Sequence, residues 1–430
     1  MKQYSAVLDY LHEWLPMFQR LGGKALKKDL HNILALCTAT GNPHRAYPSV
    51  HIGGTNGKGS TAHILAAILK QAGYKVGLYT SPHYLDFRER IKINGKLVPK
   101  EDIVHFVNEY KETIEKLQPS FFEITVAMAF DCFAKYKVDI AIVEVGLGGR
   151  LDSTNVLNPL VVAITNIGLD HQDVLGDTLA LIAEEKAGII KQDTPVVIGE
   201  SHPETRAIFQ EKAIEKNAPI RFADQELEIE AEETDSEYVY YTIKNKKGAI
   251  VHKNLALGLK GAYQKHNLRV ALLVLDELRK KSWKVNRQSV LMGTRHVVEL
   301  SRIMGRWQQL GTEPTVIADS AHNAHGLQYV AESLKAMKYN KLHLVLGFSK
   351  EKNLNEVFPL LPKEASYYFC KPNQPRGLAL DSLLAQAKGF DIKGKAYASV
   401  QAAYQAAKRR ANKKDLIFVG GSIFVLAEIL

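Results

Sequence analysis

Short apolar runs recur along the chain and alternate with longer segments whose apolar positions return every three or four residues. Runs at 48–53, 75–80, 139–145, 160–167 and 195–198 predict strands, and segments at 58–72, 100–116, 122–136, 178–190 and 203–217 predict helices. Strands this continuously apolar, separated by helices, predict a parallel sheet covered on both faces. Right-handed crossovers then align the strand C-termini along one edge, where ligands bind. Residues 224–253 differ in texture. An acidic run at 224–235 precedes the alternating Tyr238-Val-Tyr-Tyr-Thr-Ile243 and a turn at 244–248. That pattern predicts a small antiparallel sheet whose acidic positions face water. Upstream, residues 5–40 predict two helices separated by breaks at Leu15-Pro16 and Gly22-Gly23, and a helix at 266–280 closes the first part. The βα pattern resumes near residue 300, with strands at 315–319, 341–347, 366–370 and 416–420 and helices at 326–337, 378–387 and 399–411. Two α/β domains are expected, 1–298 and a smaller 299–430.

The turn after the first strand carries the clearest chemistry. His51-Ile-Gly-Gly-Thr-Asn-Gly-Lys-Gly-Ser-Thr61 joins a strand to a helix start. Glycines let successive N–H groups converge on one point, and the helix N-terminus adds unpaired donors and positive dipole. Lys58 adds a cation. This is a site for nucleotide phosphates, and the chain is expected to use ATP or GTP. The loop departs from the common phosphate-binding pattern twice. Ile52 stands where a glycine is usual, and Gly59 separates Lys58 from Ser60.

Composition narrows the partners. The 430 residues leave room for two or three domains, and 56 Lys and Arg against 46 Asp and Glu give a formal charge of +10. That balance suits small polyanions better than nucleic acid, because no basic run is interleaved with aromatics. The cluster Lys408-Arg-Arg-Ala-Asn-Lys-Lys414 predicts a solvated helix face and turn. Cys37, Cys132 and Cys370 are far apart and odd in number, so a reducing, cytoplasmic setting is expected. The start Met1-Lys-Gln-Tyr-Ser5 has no apolar core of a secretory signal, and no run reaches membrane-spanning length, so neither export nor a membrane partner is expected.

Other residues stand where chemistry is plausible. Glu144 ends an apolar strand, where an unpaired carboxylate is costly; it suits a Mg²⁺ ligand or an ion pair with Arg150. His171 follows the strand at 160–167 in the company of Asn166 and Asp170, and suits a metal ligand or an ordinary loop histidine. Ser81 opens a Ser-Pro loop directly after a strand and offers a hydroxyl to magnesium, which prefers oxygen. Lys186, on a helix capped by Asp177, looks like an ordinary helix lysine. Asp319-Ser-Ala-His-Asn323 ends the first strand of the second domain, and Arg306 near the linker is placed to clamp phosphate charge.

Seven segments in order resemble the folylpolyglutamate synthase and dihydrofolate synthase family of the Mur ligase superfamily. They are Gly54–Ser60, Ser81-Pro-His83, Phe121-Phe-Glu123, Glu144-Val-Gly-Leu-Gly-Gly-Arg-Leu-Asp-Ser-Thr-Asn155, Asn166-Ile-Gly-Leu-Asp-His171, Glu185-Lys-Ala-Gly-Ile189 and Asp319-Ser-Ala-His-Asn323. The resemblance spans nearly the whole chain. It implies a Mur-ligase-like fold, with an N-terminal P-loop ATPase domain and a Rossmann-like C-terminal glutamate-ligase domain. It implies that Thr55, Asn56, Gly57, Lys58, Gly59 and Ser60 hold ATP phosphates, and that Ser81, Glu144 and His171 bind two Mg²⁺ ions. Lys186 is then carbamylated, Asn267 touches the base, Arg306 and Asp319 contact ATP with His322 beside them, and Phe121 and Phe122 wall the pterin. Ala324 and Met304 stand where the family usually has proline. The implied reaction joins L-glutamate to dihydropteroate or a reduced folate through an acyl phosphate, in a monomer, with K⁺ as a further candidate cofactor. A peptidoglycan-precursor ligase is the alternative within the superfamily; it is expected to lack the Ser81-Pro-His83 and Phe121-Phe-Glu123 segments.

Overall fold

The computed structural model describes residues 3–14, 29–235 and 237–430. The helices Tyr4–Trp14 and His31–Ala39 match the two expected before the first strand, and the breaks at 15–16 and 22–23 lie outside the described residues. The chain divides into two compact units. Met1–Gly168, Gln172–Gly258 and Gln264–Ile303 form the first, and Leu169–His171, Leu259–Tyr263 and Met304–Leu430 the second. The division falls between Ile303 and Met304 rather than at 298/299, and two short earlier segments go with the second unit.

The first unit is built on strands β1 (Ser49–Gly53), β2 (Val76–Tyr79), β3 (Ile91–Ile93), β4 (Lys96–Leu97), β5 (Ile140–Glu144), β6 (Val161–Ile164), β7 (Val196–Ile198) and β8 (Ile220–Phe222). They lie in the order β4-β3-β2-β5-β1-β6-β7-β8. The six strands from β2 to β8 in that order run parallel, as the unbroken apolar runs predict. The β3–β4 edge is antiparallel and was not foreseen. Its signal is the Asn94-Gly95 pair, whose φ values of 49° and 75° make the two-residue hairpin turn. Strands β9 (Leu227–Thr234), β10 (Val239–Asn245) and β11 (Ile250–Leu257) form the expected antiparallel sheet, with alternate glutamates of β9 exposed.

Two helix expectations are corrected. The segment at 100–116 forms two helices, Lys100–Glu109 and Lys111–Leu117, which part at Tyr110. The helix at 178–190 is shorter, Leu179–Ala187, and its cap is Thr178 rather than Asp177: the Thr178 hydroxyl accepts from the Leu181 N–H at 3.2 Å.

One core cluster gathers the Phe121–Lys135 helix with Tyr79 and Val143, and another packs Ala183, Ala187 and Phe209 against Val162, Ile164 and Ile198. Phe130 and Phe133 are fully buried, each contributing about 2 kcal/mol by removal of apolar area from water. In the second unit, strands β12 (Gln308–Thr312), β13 (Thr315–Ala318), β14 (Leu342–Leu346), β15 (Ser366–Cys370), β16 (Gly394–Tyr397) and β17 (Leu416–Gly420) lie in the order β12-β13-β17-β14-β15-β16. Only β12 is antiparallel to its neighbour. Strands β8, β12 and β16 escaped the sequence pattern because each is short, partly polar and at or near a sheet edge.

Burial of one strand residue sets an acid limit on stability. His51 of β1 is wholly buried, with Nε2 2.8 Å from the Thr154 hydroxyl. Burial first, and Lys191 second, depress its pKa to about 3. The unfolded chain takes up a proton there near pH 6.5 and the folded chain does not. Stability is therefore complete above pH 6.5 and falls as pH drops towards 3. We expect the stability lost by the protein between pH 7 and pH 5 to exceed that lost by His51→Leu by about 2 kcal/mol. Urea midpoints at the two pH values measure the difference, and equal losses in both proteins would contradict it.

Candidate functional site

The loop after β1 is held from below by the end of β6. The Thr55 N–H donates to the Asn166 carbonyl at 2.9 Å, and the Asn56 N–H to the Asn166 side chain at 2.9 Å. The Thr165 hydroxyl donates to the Asn56 carbonyl at 2.6 Å. Gly54 at φ 134° and Gly57 at φ 84° make the turn. Gly57 is also the N-cap of the helix Lys58–Gln71, whose Thr61 N–H closes the first turn onto the Gly57 carbonyl at 2.9 Å. The N–H groups of Lys58, Gly59 and Ser60 are thus the orphan donors of this helix start. The N–H groups of Thr55 and Asn56 are engaged by Asn166, so these two residues shape the loop through their backbone rather than adding donors to that set.

Side chains from distant segments converge on this turn. The Lys58 ammonium folds back onto the carbonyls of Gly54 and Thr55, at 2.9 and 3.1 Å. Lys186, only 4% exposed, donates to the Gly54 carbonyl at 3.1 Å. Asn267 packs so closely on Gly57 that a Cβ there would meet its Oδ1 at 2.0 Å. Its amide donates to Gln264 at 2.8 Å. Three of the expected residues, Lys58, Lys186 and Asn267, therefore meet at one loop, Lys186 reaching Gly54 from 132 residues away and Asn267 packing on Gly57 from a still more distant helix.

Glu144 ends β5 beside Ile52 of β1 and is buried. Its carboxylate accepts the Ser81 N–H at 3.1 Å, which joins two of the expected magnesium ligands. Arg150 pairs instead with Glu185 at 2.7 Å. Among the described residues no three His, Cys, Asp or Glu side chains cluster as a metal site. The Ser60 hydroxyl, at the helix start, is buried and has no hydrogen-bond partner among the described residues. A buried hydroxyl awaiting a partner and a strand-end carboxylate are the hard oxygen donors that suit magnesium.

Phe121 is 3% exposed and belongs to the core, edge-on to Phe87 and beneath the Arg90 guanidinium at 5.4 Å. Phe122 is half-buried and covers Gly146, where a Cβ would meet its ring at 2.3 Å. Glu123, in the same motif, closes a capping box: it accepts the Ser120 N–H at 2.6 Å. Arg90 also donates to His83 at 2.8 Å, and burial with the Arg90 charge depresses the His83 pKa to about 3.

Residues outside the expected set emerge from the fold. Asn166 is the strut of the loop, and its side chain also bonds Glu200 just beyond β7. Burial, reinforced by Asp224, raises the Glu200 pKa to about 7. No local motif marks Glu200; only the sheet order β1-β6-β7 brings it to Asn166.

In the second unit the expected residues gather around two carboxylates. Asp319 is buried at the end of β13 and accepts from the Trp307 N–H at 2.7 Å, the Ala321 N–H at 2.8 Å and the Tyr263 hydroxyl at 2.5 Å. Arg306 bonds the Ser320 hydroxyl and the Gly305 carbonyl. His322 lies 3.0 Å from the Ser320 carbonyl through Nδ1 and 3.2 Å from Asp170 through Nε2. Asp170 also accepts from Asn323 at 2.9 Å and from Lys352 at 2.5 Å. Burial alone would raise the Asp170 pKa, but His322 and Lys352 outweigh it and hold the carboxyl well below its usual range. His171 follows at φ 51°, with Nε2 3.9 Å from Asp170. Lys352 was not foreseen, because nothing in its own segment points to Asp170, 182 residues away.

Comparisons with known proteins identify the two domains and the relatives of this chain. The Mur ligase middle domain matches residues 52–275, and the Mur ligase glutamate ligase domain matches residues 305–423. The chain is 31% identical over 415 residues to the dihydrofolate synthase/folylpolyglutamate synthase of Bacillus subtilis, covering 94% of each protein. It is 33% identical over 414 residues to a probable bifunctional folylpolyglutamate synthase/dihydropteroate synthase of Haloferax volcanii, of which it spans only 48%. Among solved structures, Escherichia coli FolC in complex with DHPP and ADP superposes with a TM-score of 0.86 at 29% identity, covering 99% of this chain and 96% of that one. Mycobacterium tuberculosis folylpolyglutamate synthase complexed with ADP and AMPPCP gives a TM-score of 0.88 at 29% identity, covering 99% and 98%. With the loop, its lysines and both matched domains in place, the chain belongs to the folylpolyglutamate synthase and dihydrofolate synthase family of Mur-type ligases and is an ATP-dependent ligase of folate metabolism.

Proposed function

We propose that this protein joins L-glutamate to dihydropteroate, to tetrahydrofolate, or to both, as a cytoplasmic monomer. The observation that carries this reading is the convergence of Lys58, Lys186 and Asn267 on the Gly54–Ser60 loop. A carboxylate is a poor electrophile. Its oxygen attacks the γ-phosphorus of ATP, ADP leaves, and the resulting acyl phosphate carries phosphate as leaving group. The glutamate α-amine then attacks the carbonyl carbon, phosphate departs, and the amine gives up a proton.

Lys58 and the N–H groups of the helix start hold the phosphates and offset charge as it shifts to the leaving oxygen. Gly57, Gly59 and Ser60 let the backbone approach those phosphates, while Thr55 and Asn56 fix the loop's shape. Asn267 orients the base, Arg306 and Asp319 are the further nucleotide contacts, and His322 stands beside them. Phe122 borders the pterin, and Phe121 supports it from the core. Ser81, Glu144 and His171 are the proposed magnesium ligands; bound magnesium supplies charge neutralisation at the phosphates. Lys186 reaches the loop as an unmodified amine, and carbamylation converts that buried end into an oxygen donor. K⁺ is a candidate for a further cation.

The test is ADP release with ATP, L-glutamate and each pterin in separate reactions. ADP formation that requires both glutamate and a pterin is expected. Turnover on a peptidoglycan precursor instead, or none with either pterin, would overturn the assignment.

A further inference from the structure

A cavity lies in the first unit, lined by residues remote in sequence from the phosphate loop. It has a volume of about 260 Å³ and opens between the helix Gln264–Lys280 and the antiparallel β9–β11 sheet. Leu227, Leu272 and Leu273 give it an apolar wall, and Val251 lies at its edge. The β10–β11 turn places Lys246 and Lys247 on its rim, both exposed. Arg221 and Arg279 also line it, but each is already committed to carboxylates: Arg221 to Glu226 and Glu277, Arg279 to Asp276.

His252 decides what the cavity is for. It lines the space, it is 6% exposed, and its Nδ1 is buried with no hydrogen-bond partner among the described residues. A buried polar atom left unpaired is destabilising unless something bonds it. Burial, and then the charges of Arg287 and Arg279, lower the His252 pKa, so the ring is neutral and has one N–H to donate and one nitrogen to accept. Four basic side chains line the space against two acidic ones, Glu226 and Asp276. Apolar wall, polar buried histidine and cationic rim together describe an amphipathic anion-binding pocket.

We propose that this cavity binds a small organic anion, with its carboxylate or phosphate head at Lys246 and Lys247 and its apolar body against Leu272 and Leu273, where His252 bonds a polar atom of the body. None of these residues has a role in the ligase reaction proposed above, so the two readings stand or fall separately.

The test is a fluorescence titration of the full chain with 1-naphthyl phosphate and, separately, 1-naphthoate, in saturating ADP to fill the phosphate loop. Saturable binding of either probe is expected. Lys246→Glu combined with Lys247→Glu should weaken it by about tenfold or more, since charge-assisted bonds to the head are lost. These lysines are exposed, so the double variant should fold and release ADP at the normal rate in the absence of probe. His252→Phe, which keeps the apolar wall, should also weaken binding. Absence of saturable binding overturns the proposal. So does equal affinity in the wild type and both variants, or inorganic phosphate binding as tightly as naphthyl phosphate.

Discussion

Gly54→Ala is expected to abolish ligase turnover, with ADP release reduced about a hundredfold or more. A Cβ on Gly54 would lie 1.9 Å from the Thr165 hydroxyl and 2.9 Å from the Thr165 backbone nitrogen. The residue also sits at φ 134°, a conformation that alanine adopts only under strain. The hydroxyl can rotate away, but the backbone nitrogen, just past β6, is held by its bond to the Gly53 carbonyl at 3.0 Å. The loop must therefore shift, and with it the Gly54 carbonyl that both Lys58 and Lys186 bond. Stability should fall by about 1–3 kcal/mol, the usual scale of local backbone strain. Steady-state ADP release and urea unfolding on the same preparation separate the two effects. Adding Thr165→Ala should recover only part of the activity, because the backbone contact and the φ angle remain. Normal turnover by Gly54→Ala would mean that the loop does not cradle phosphate.

Lys186→Met should lose about a hundred- to a thousandfold in kcat while keeping the fold. Methionine nearly matches the volume of the lysine stem, and loss of a buried charge is close to neutral for stability or favourable to it. Arginine should not substitute, because its guanidinium neither carries a carbamate nor fits a pocket in which lysine is 4% exposed. Carbon-13 NMR in labelled bicarbonate provides the independent readout. A carbamate signal is expected in the wild type and absent from Lys186→Met. Full activity in the variant, together with no signal in the wild type, would reduce Lys186 to a structural strut of the loop.

The site was partly legible because much of its chemistry is local. Gly57-Lys58 at a strand-to-helix turn needs no distant partner to be recognised. Glu144 is conspicuous because a carboxylate is out of place at the end of an apolar strand. Lys186 shows the opposite case. Within its own helix it is one lysine among several charged residues, and its burial and its 3.1 Å bond to Gly54, 132 residues away, set it apart. In the sequence Asn166 stands out only as a neighbour of His171, yet it engages the loop from both its carbonyl and its side chain. Phe121 shows the limit of residue type alone: an aromatic at a helix start suits a ligand wall and a core equally well, and only the tertiary structure shows it packed edge-on to Phe87.

Sequence by itself determined the two α/β parts, the parallel strands of the first sheet and the phosphate loop. Apolar periodicity and glycine punctuation act over a few residues, and those patterns need no tertiary partner. Tertiary structure alone decided which distant groups meet: Lys186 and Asn267 at the loop, Lys352 at Asp170, and Glu200 at Asn166. It also decided where the units divide, and it opened the cavity around His252. Burial and side-chain pairing depend on strand order and helix packing across a hundred residues or more, and no short stretch of chain encodes them.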